Sequence, residues 1–183
     1  MRIFLGVFPP APVQQVAAEL IERWRRPGDG VSWVKRENLH FTVRFLGELG
    51  DDGARRAAEA AQQGTAEHHA FEATLGAPGA FPSARRARVL WLGLSKGAEP
   101  FVSLARSVGR ALERRGFETE DRPFTAHLTL GRVRERDQDW SARLEASISE
   151  PAAFTVDRVT VIRSTLSPKG SIYQVHAEAM LSP

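Results

Sequence analysis

The feature that most constrains this chain is a short phrase that it uses twice. Asn38-Leu39-His40-Phe41-Thr42-Val43-Arg44-Phe45-Leu46-Gly47-Glu48 alternates apolar and polar residues as a half-buried strand does, with His40 and Thr42 on the polar face. Phe124-Thr125-Ala126-His127-Leu128-Thr129-Leu130-Gly131-Arg132 repeats the same His-apolar-Thr-apolar core. One such phrase is most simply a histidine hydrogen-bonded within a strand. With five histidines in the chain, two hits inside apolar strands arise by chance only on the order of a few per cent of the time, so the repetition points to function. Strict alternation sets His40, Thr42 and Arg44 on one face and Phe41, Val43 and Phe45 on the other, which assigns Phe45 to the core unless the strand bulges.

Two strands of this kind, facing one cleft from two lobes, would present two imidazoles and two hydroxyls together. An imidazole titrates near neutrality, so one can take a proton from an attacking water while the other gives one to a leaving oxygen. Threonine hydroxyls are short donors for the non-bridging oxygens of a phosphate, where charge builds in the transition state. Arg132, five residues past His127, can add a guanidinium fork to the same anion, and Arg122, just before Pro123, is a second candidate. The scheme requires no metal and no cofactor.

The remaining histidines are weaker candidates. His68 and His69 are adjacent and diverge in any regular element, which suits solvent exposure, and His176 reads as a partly buried strand residue. Arginine outnumbers lysine 22 to 3 within a net charge of only +3, and clusters such as Arg85-Arg86-Ala87-Arg88 read first as solvated surface. Without cysteine there are no disulfides, thiolate metal sites or cysteine nucleophiles. No segment reaches the length of a membrane span and residues 1–8 lack a secretory pattern, which predicts a cytoplasmic protein.

Along the chain, the patterns predict a strand over 2–8 stopped by prolines, then a helix over 12–26 with Val13, Val16, Ala17, Leu20, Ile21 and Trp24 inward. Strands follow over 31–34 and 39–46. Asp51 and Asp52 offer a cap to an alanine-rich helix ending near Gly64, expected to cover a sheet from outside. Strands over 71–75 and 89–94 flank a long connection, 76–88, suited to lining a cleft. A helix from Pro100 to a C-terminal Gly116, strands over 117–120 and 126–133, a short helix within 137–146, and a strand pair over 154–165 and 171–180 complete the order. This is an α+β chain of 183 residues, expected as a single two-lobed unit over 1–183 with helices outside its sheets.

The paired His-Phe-Thr-Val and His-Leu-Thr-Leu phrases resemble those of the two-histidine phosphoesterase superfamily. With their surroundings, they are similar to the bacterial and archaeal RNA 2′,3′-cyclic phosphodiesterases, also described as 2′-5′ RNA ligases. The likeness extends to Arg-Ile-Phe-Leu-Gly-Val at the start, Val-Leu-Trp-Leu-Gly at 89–93 and Ser-Thr-Leu-Ser-Pro-Lys-Gly-Ser-Ile-Tyr at 164–173. It implies two antiparallel sheets related by a pseudo-two-fold axis around a central cleft. It also implies metal-independent opening of 2′,3′-cyclic phosphates on RNA or nucleosides to 2′-phosphates. The chain is expected to be a monomer with no obligate protein partner. On that resemblance, His40 protonates the departing 3′ oxygen, His127 activates water, and Thr42, Thr129 and Arg132 hold the phosphate. Two alternatives stay open: sealing of 2′-5′ linkages, with a 5′-hydroxyl in place of water, and a non-catalytic RNA-binding module. One departure is Ala126, where the family commonly has proline before the second histidine; the stiffening it gives the strand entry is lost here.

Overall fold

The computed structural model describes residues 1–134, 138–145 and 151–183. Its strands are β1 (Arg2–Val7), β2 (Val31–Trp33), β3 (Phe41–Glu48), β4 (Phe71–Phe81), β5 (Val89–Lys96), β6 (Leu128–Val133), β7 (Ala153–Val156), β8 (Arg158–Ser167) and β9 (Gly170–Met180). Its helices are α1 (Ala11–Trp24), α2 (Asp51–Thr65), α3 (Ala98–Glu113) and α4 (Ser141–Leu144). The strands run in the order β7-β4-β5-β6-β3-β1-β8-β9, with β2 on β6 and every pair antiparallel.

Two halves are visible in that order, because β3 and β6 meet through the single pair Phe41 and Leu128. Strand, helix and motif strand occur twice, as β1-α1-β3 and as β5-α3-β6. Each half thus ends its sheet on a His-x-Thr strand, and the two face one another across the seam. The apolar residues of both halves make one continuous core. Phe101 of α3 lies at its centre, against Phe41 (5.4 Å between ring centroids), Phe71 (6.0 Å) and Phe124 (5.7 Å).

Several elements depart from the sequence expectation for identifiable reasons. The alanine face of α2 is sealed, with Ala54, Ala57, Ala60 and Ala61 fully buried. At Gly64 a β-carbon would stand 2.6 Å from the Val108 Cα, so α2 and α3 pack nearly backbone to backbone. Gly50 occupies the cap position of α2, while Asp52 binds Arg55 and Arg56 instead. The connection expected over 76–88 is strand in its first part and a connection only from 82 to 88: β4 runs to Phe81 after an irregularity between Leu75 and Pro78. Among the described residues β4 pairs with β7 only up to Thr74, so Pro78 lies where one edge of the strand is open, a position that tolerates proline. Residues 117–120 form no strand, and Phe117 lies beneath Arg56 instead. The short helix expected within 137–146 is Ser141–Leu144, and the remainder of that range lies partly outside the described residues. No helix among the described residues is long and apolar enough to cross a membrane.

Candidate active site

Both histidines stand one residue before their strands and are held in the same way. His40 Nδ1 lies 2.7 Å from the Asn38 carbonyl, and His127 Nδ1 lies 2.8 Å from the Thr125 carbonyl. Only an N–H can meet a carbonyl, so each Nδ1 carries the proton and each Nε2 of the neutral ring is the nitrogen able to accept one. The Asn38 side chain donates in turn to the Ser171 carbonyl (2.9 Å), and Gln14 of α1 donates to the Leu39 carbonyl (3.0 Å). The segment before His40 is thereby fixed from two sides. The segment before His127 is fixed by Phe124 stacking on Phe101.

His40 Nε2 is 3.0 Å from the Thr42 hydroxyl. While His40 is neutral, that hydroxyl donates to it. Once His40 is protonated, its Nε2–H donates instead, and the Thr42 O–H is freed to donate elsewhere. Burial lowers the His40 pKa below the usual histidine range, the Asn38 carbonyl opposes this, and the charges of His127 and Arg132 lower it further. Burial and Arg132 likewise lower that of His127. Arg132 therefore acts electrostatically on both imidazoles.

A bulge in each motif strand completes the arrangement. Leu5 faces Arg44 and Gly6 faces Thr42, which leaves Val43 as an extra residue in β3. Leu90 faces Gly131 and Trp91 faces Thr129, which leaves Leu130 extra in β6. Both extra residues stand third after the histidine. Each bulge reverses the alternation, so the residue five places after the histidine returns to the histidine's face. In β6 that residue is Arg132 and in β3 it is Phe45. Phe45 is accordingly 50% exposed, beneath the Arg2 guanidinium at 5.1 Å, and the core assignment made from simple alternation is corrected.

Thr42, Phe45, Thr129 and Arg132 border two adjoining hollows, one of about 220 Å³ containing His40 and one of about 720 Å³ containing His127. The structure so brings together His40, His127, Thr42, Thr129 and Arg132. Arg122 lines only the larger hollow. Of the other histidines, His68 bonds Ser107 Oγ (2.9 Å) and is partly buried rather than exposed, and His176 is exposed rather than partly buried. The cluster at 85–88 lines neither hollow. Among the described residues no three His, Cys, Asp or Glu side chains gather to hold a metal ion.

Sequence reasoning missed the aromatic frame. Phe4 and Phe8 stack on His40 at 4.7 and 5.0 Å, and Tyr173 meets its edge at 5.5 Å. Phe81 and Trp91 stand edge-on to His127 at 5.1 and 6.3 Å. The available signal was Gly6 inside an otherwise bulky strand, since glycine there marks a close approach. A β-carbon at position 6 would lie 3.1 Å from both His40 Cδ2 and the Phe41 carbonyl oxygen. Gly6→Ala is expected to cost about 1 kcal/mol in urea unfolding and to lower kcat about tenfold by displacing the ring. Loss of stability with unchanged kcat would show that the glycine serves packing alone.

The fold and site together define a class: a two-lobed α+β protein with paired, backbone-anchored imidazoles and one shared arginine. Residues 9–167 match the model of the 2′-5′ RNA ligase superfamily, and the chain belongs to that family. An RNA 2′,3′-cyclic phosphodiesterase of Thermotoga maritima is 32% identical over 96% of this chain and 92% of its own length. That of Methanothermobacter thermautotrophicus is 32% identical over 94% and 95%. A crystal structure from Thermus thermophilus superposes with a TM-score of 0.81 at 27% identity, covering 99% of this chain and 98% of that one. E. coli LigT in complex with 3′-AMP, at 22% identity and a TM-score of 0.78, shares the fold.

Proposed function

We propose that this chain is an RNA 2′,3′-cyclic phosphodiesterase whose catalytic groups are His40 and His127. The observation that carries the assignment is that both imidazoles are tied through Nδ1 to a backbone carbonyl, which turns each Nε2 away from the backbone, that of His40 to the Thr42 hydroxyl, at hollows that share Thr42, Thr129 and Arg132. The cyclic phosphate sits against those three residues. His127 takes a proton from water as the water oxygen bonds phosphorus, and His40 gives its proton to the 3′ oxygen as the P–O3′ bond breaks. The product is a 2′-phosphate, and the pair is reset by one exchange of protons with solvent. Both histidines belong to one chain, so a single copy, acting as a monomer over residues 1–183, is sufficient.

Incubation with nucleoside 2′,3′-cyclic phosphates should yield the 2′-phosphate, with activity unchanged in EDTA; a 3′-phosphate product overturns the assignment of the leaving oxygen. The pH profile carries a second signature. Both histidines are depressed in the free protein, first by burial, so the working state, with His127 neutral and His40 protonated, is scarce at neutral pH. The bell in kcat/KM should therefore centre on the acid side of the ordinary histidine value. In kcat it should move up in pH, because the bound anion favours protonated His40. A profile flat between acid and neutral pH excludes histidine acid-base chemistry.

A further inference from the structure

The 720 Å³ hollow on the His127 side is far larger than a water molecule and a cyclic phosphate require. Five arginines line it: Arg44, Arg106, Arg110, Arg122 and Arg132. Among the described residues none of them is ion-paired, whereas Arg55, Arg56 and Arg115 on neighbouring surface all are. Arg44 donates to the Glu118 carbonyl and Arg110 to Ser107 Oγ, on the border with a second hollow lined by Gln63 and Glu67, and neither bond neutralises the guanidinium. The carboxylates of the lining are Glu113 and Glu120, and the arginines outnumber them.

One wall of this hollow is a single face of α3, on which Arg106, Gly109, Arg110 and Glu113 recur at helical spacing. Glycine inside a helix lowers stability and ordinarily has a packing reason. Gly64 has one in the Val108 backbone, but a β-carbon at Gly109 would meet nothing within 4 Å. The position leaves a notch between Arg106 and Arg110 that nothing among the described residues fills. Phe45, half exposed, and Phe124 on the same hollow supply ring faces for stacking. Unpaired arginines interleaved with aromatic rings are the chemistry that holds a single-stranded polynucleotide.

The opposite direction is closed to phosphate. The groove beyond His40 is lined by Glu37, Asp157 and Glu178, and its one arginine, Arg158, is bound to Asp157 at 2.9 Å and Glu178 at 3.3 Å. The ribose of a cyclic phosphate stays attached to phosphorus through O2′, off the line joining the attacking and leaving oxygens, so its 5′ side can turn toward the open hollow. We propose that the α3 face of this hollow binds the sugar-phosphate backbone of the RNA strand whose 3′ end is being opened. Arg106, Arg110 and the notch at Gly109 then select a polynucleotide over a mononucleotide. The inference rests on the phosphodiesterase reading above and adds to it the surface that receives the strand and the residues that favour a polynucleotide.

The test compares a nucleoside 2′,3′-cyclic phosphate with a short oligoribonucleotide ending in the same group, across a range of KCl concentrations. The Arg106→Ala/Arg110→Ala double variant should raise KM about tenfold for the oligomer and leave the mononucleotide unchanged. It should also flatten the oligomer's plot of log(kcat/KM) against log salt by about 1.4, for two lost phosphate contacts on a single strand. Gly109→Gln should raise the oligomer KM without lowering the thermal midpoint, which separates obstruction from misfolding. Equal KM and equal salt slope for the two substrates in the parent protein overturn the proposal, as does a double variant that affects both alike. Should a 5′-hydroxyl oligomer be joined to the mononucleotide phosphate in place of water, and that joining be lost in the double variant, the hollow holds the acceptor strand and the assignment falls. If neither substrate is opened, the phosphodiesterase reading has failed; anisotropy with a labelled 2′-phosphate-ended oligomer then decides the strand site, which stands if binding depends on Arg106 and Arg110 and falls if it does not.

Discussion

His40→Ala and His127→Ala each lower hydrolysis of a nucleoside 2′,3′-cyclic phosphate by roughly a hundred- to ten-thousandfold, the usual worth of a positioned general acid or base. The two losses should not multiply. Water activation and leaving-group protonation are halves of one displacement, so the double variant should be little slower than the worse single one. The structure also separates the two in stability. His40 is clasped between the Phe4 and Phe8 rings at 4.7 and 5.0 Å, so its removal leaves a gap in packed aromatic structure. His127 meets its aromatic neighbours only edge-on. His40→Ala is therefore the variant expected to lower the urea midpoint, and His127→Ala the one expected to lose activity at nearly parental stability. Parental rates in both variants would end the proposal of paired imidazole catalysis.

What the residues disclosed in advance, and what they concealed, follow from two kinds of order. The motif strands were legible because His40-Phe41-Thr42 and His127-Leu128-Thr129 keep the period of a strand for as long as the pattern needs to be read. α1 and α3 were legible because their apolar residues repeat at helical spacing and proline stands near each start. The bulges at Val43 and Leu130 were not legible. Nothing in Val43-Arg44-Phe45 distinguishes a continued alternation from one reset by an extra residue, since that choice is made by the register with β1 and β5. The misassignment of Phe45 follows directly. Counted from the histidines, however, Phe45 and Arg132 stand at equivalent positions, and the equivalent bulges explain why both reach the cleft. The 76–88 connection was misread for a related reason: glycine and proline mark loops in isolation, yet Gly79 is required in β4, where a β-carbon would lie 2.3 Å from the Trp91 ring. The aromatic frame was hidden because Phe4 and Phe8, His40 and Tyr173 come from three distant stretches of the chain, joined at the site only through the pairing of β3, β1, β8 and β9.

The same equivalence makes Arg132 the other decisive residue. The two copies match in their histidines and threonines and differ at the fifth position, where only β6 carries a cation, so on the proposed mechanism they share proton transfer and differ in their grip on phosphate. Arg132→Ala should lower kcat/KM by about a hundred- to a thousandfold, as for loss of a transition-state anion donor. Arg132→Lys should recover only part of this, because an ammonium restores charge without the two-pronged fork. A second readout distinguishes a phosphate-holding arginine from a merely structural one. After burial, Arg132 is among the charges that lower both histidines, so in Arg132→Ala both should titrate higher and both limbs of the bell should move up in pH. In Arg132→Lys the bell should stay near its parental position. Because Phe45 and Arg132 border the same two hollows from opposite strands, adding Phe45→Arg to Arg132→Ala should bring a guanidinium back to the phosphate from the other half and recover affinity, read as KM. Recovery of KM together with a bell returned toward its parental position would show that the site needs one cation between its two histidines, whichever strand provides it. An unchanged KM would show that the fork must approach from β6, and that the symmetry of the two motifs ends at their threonines.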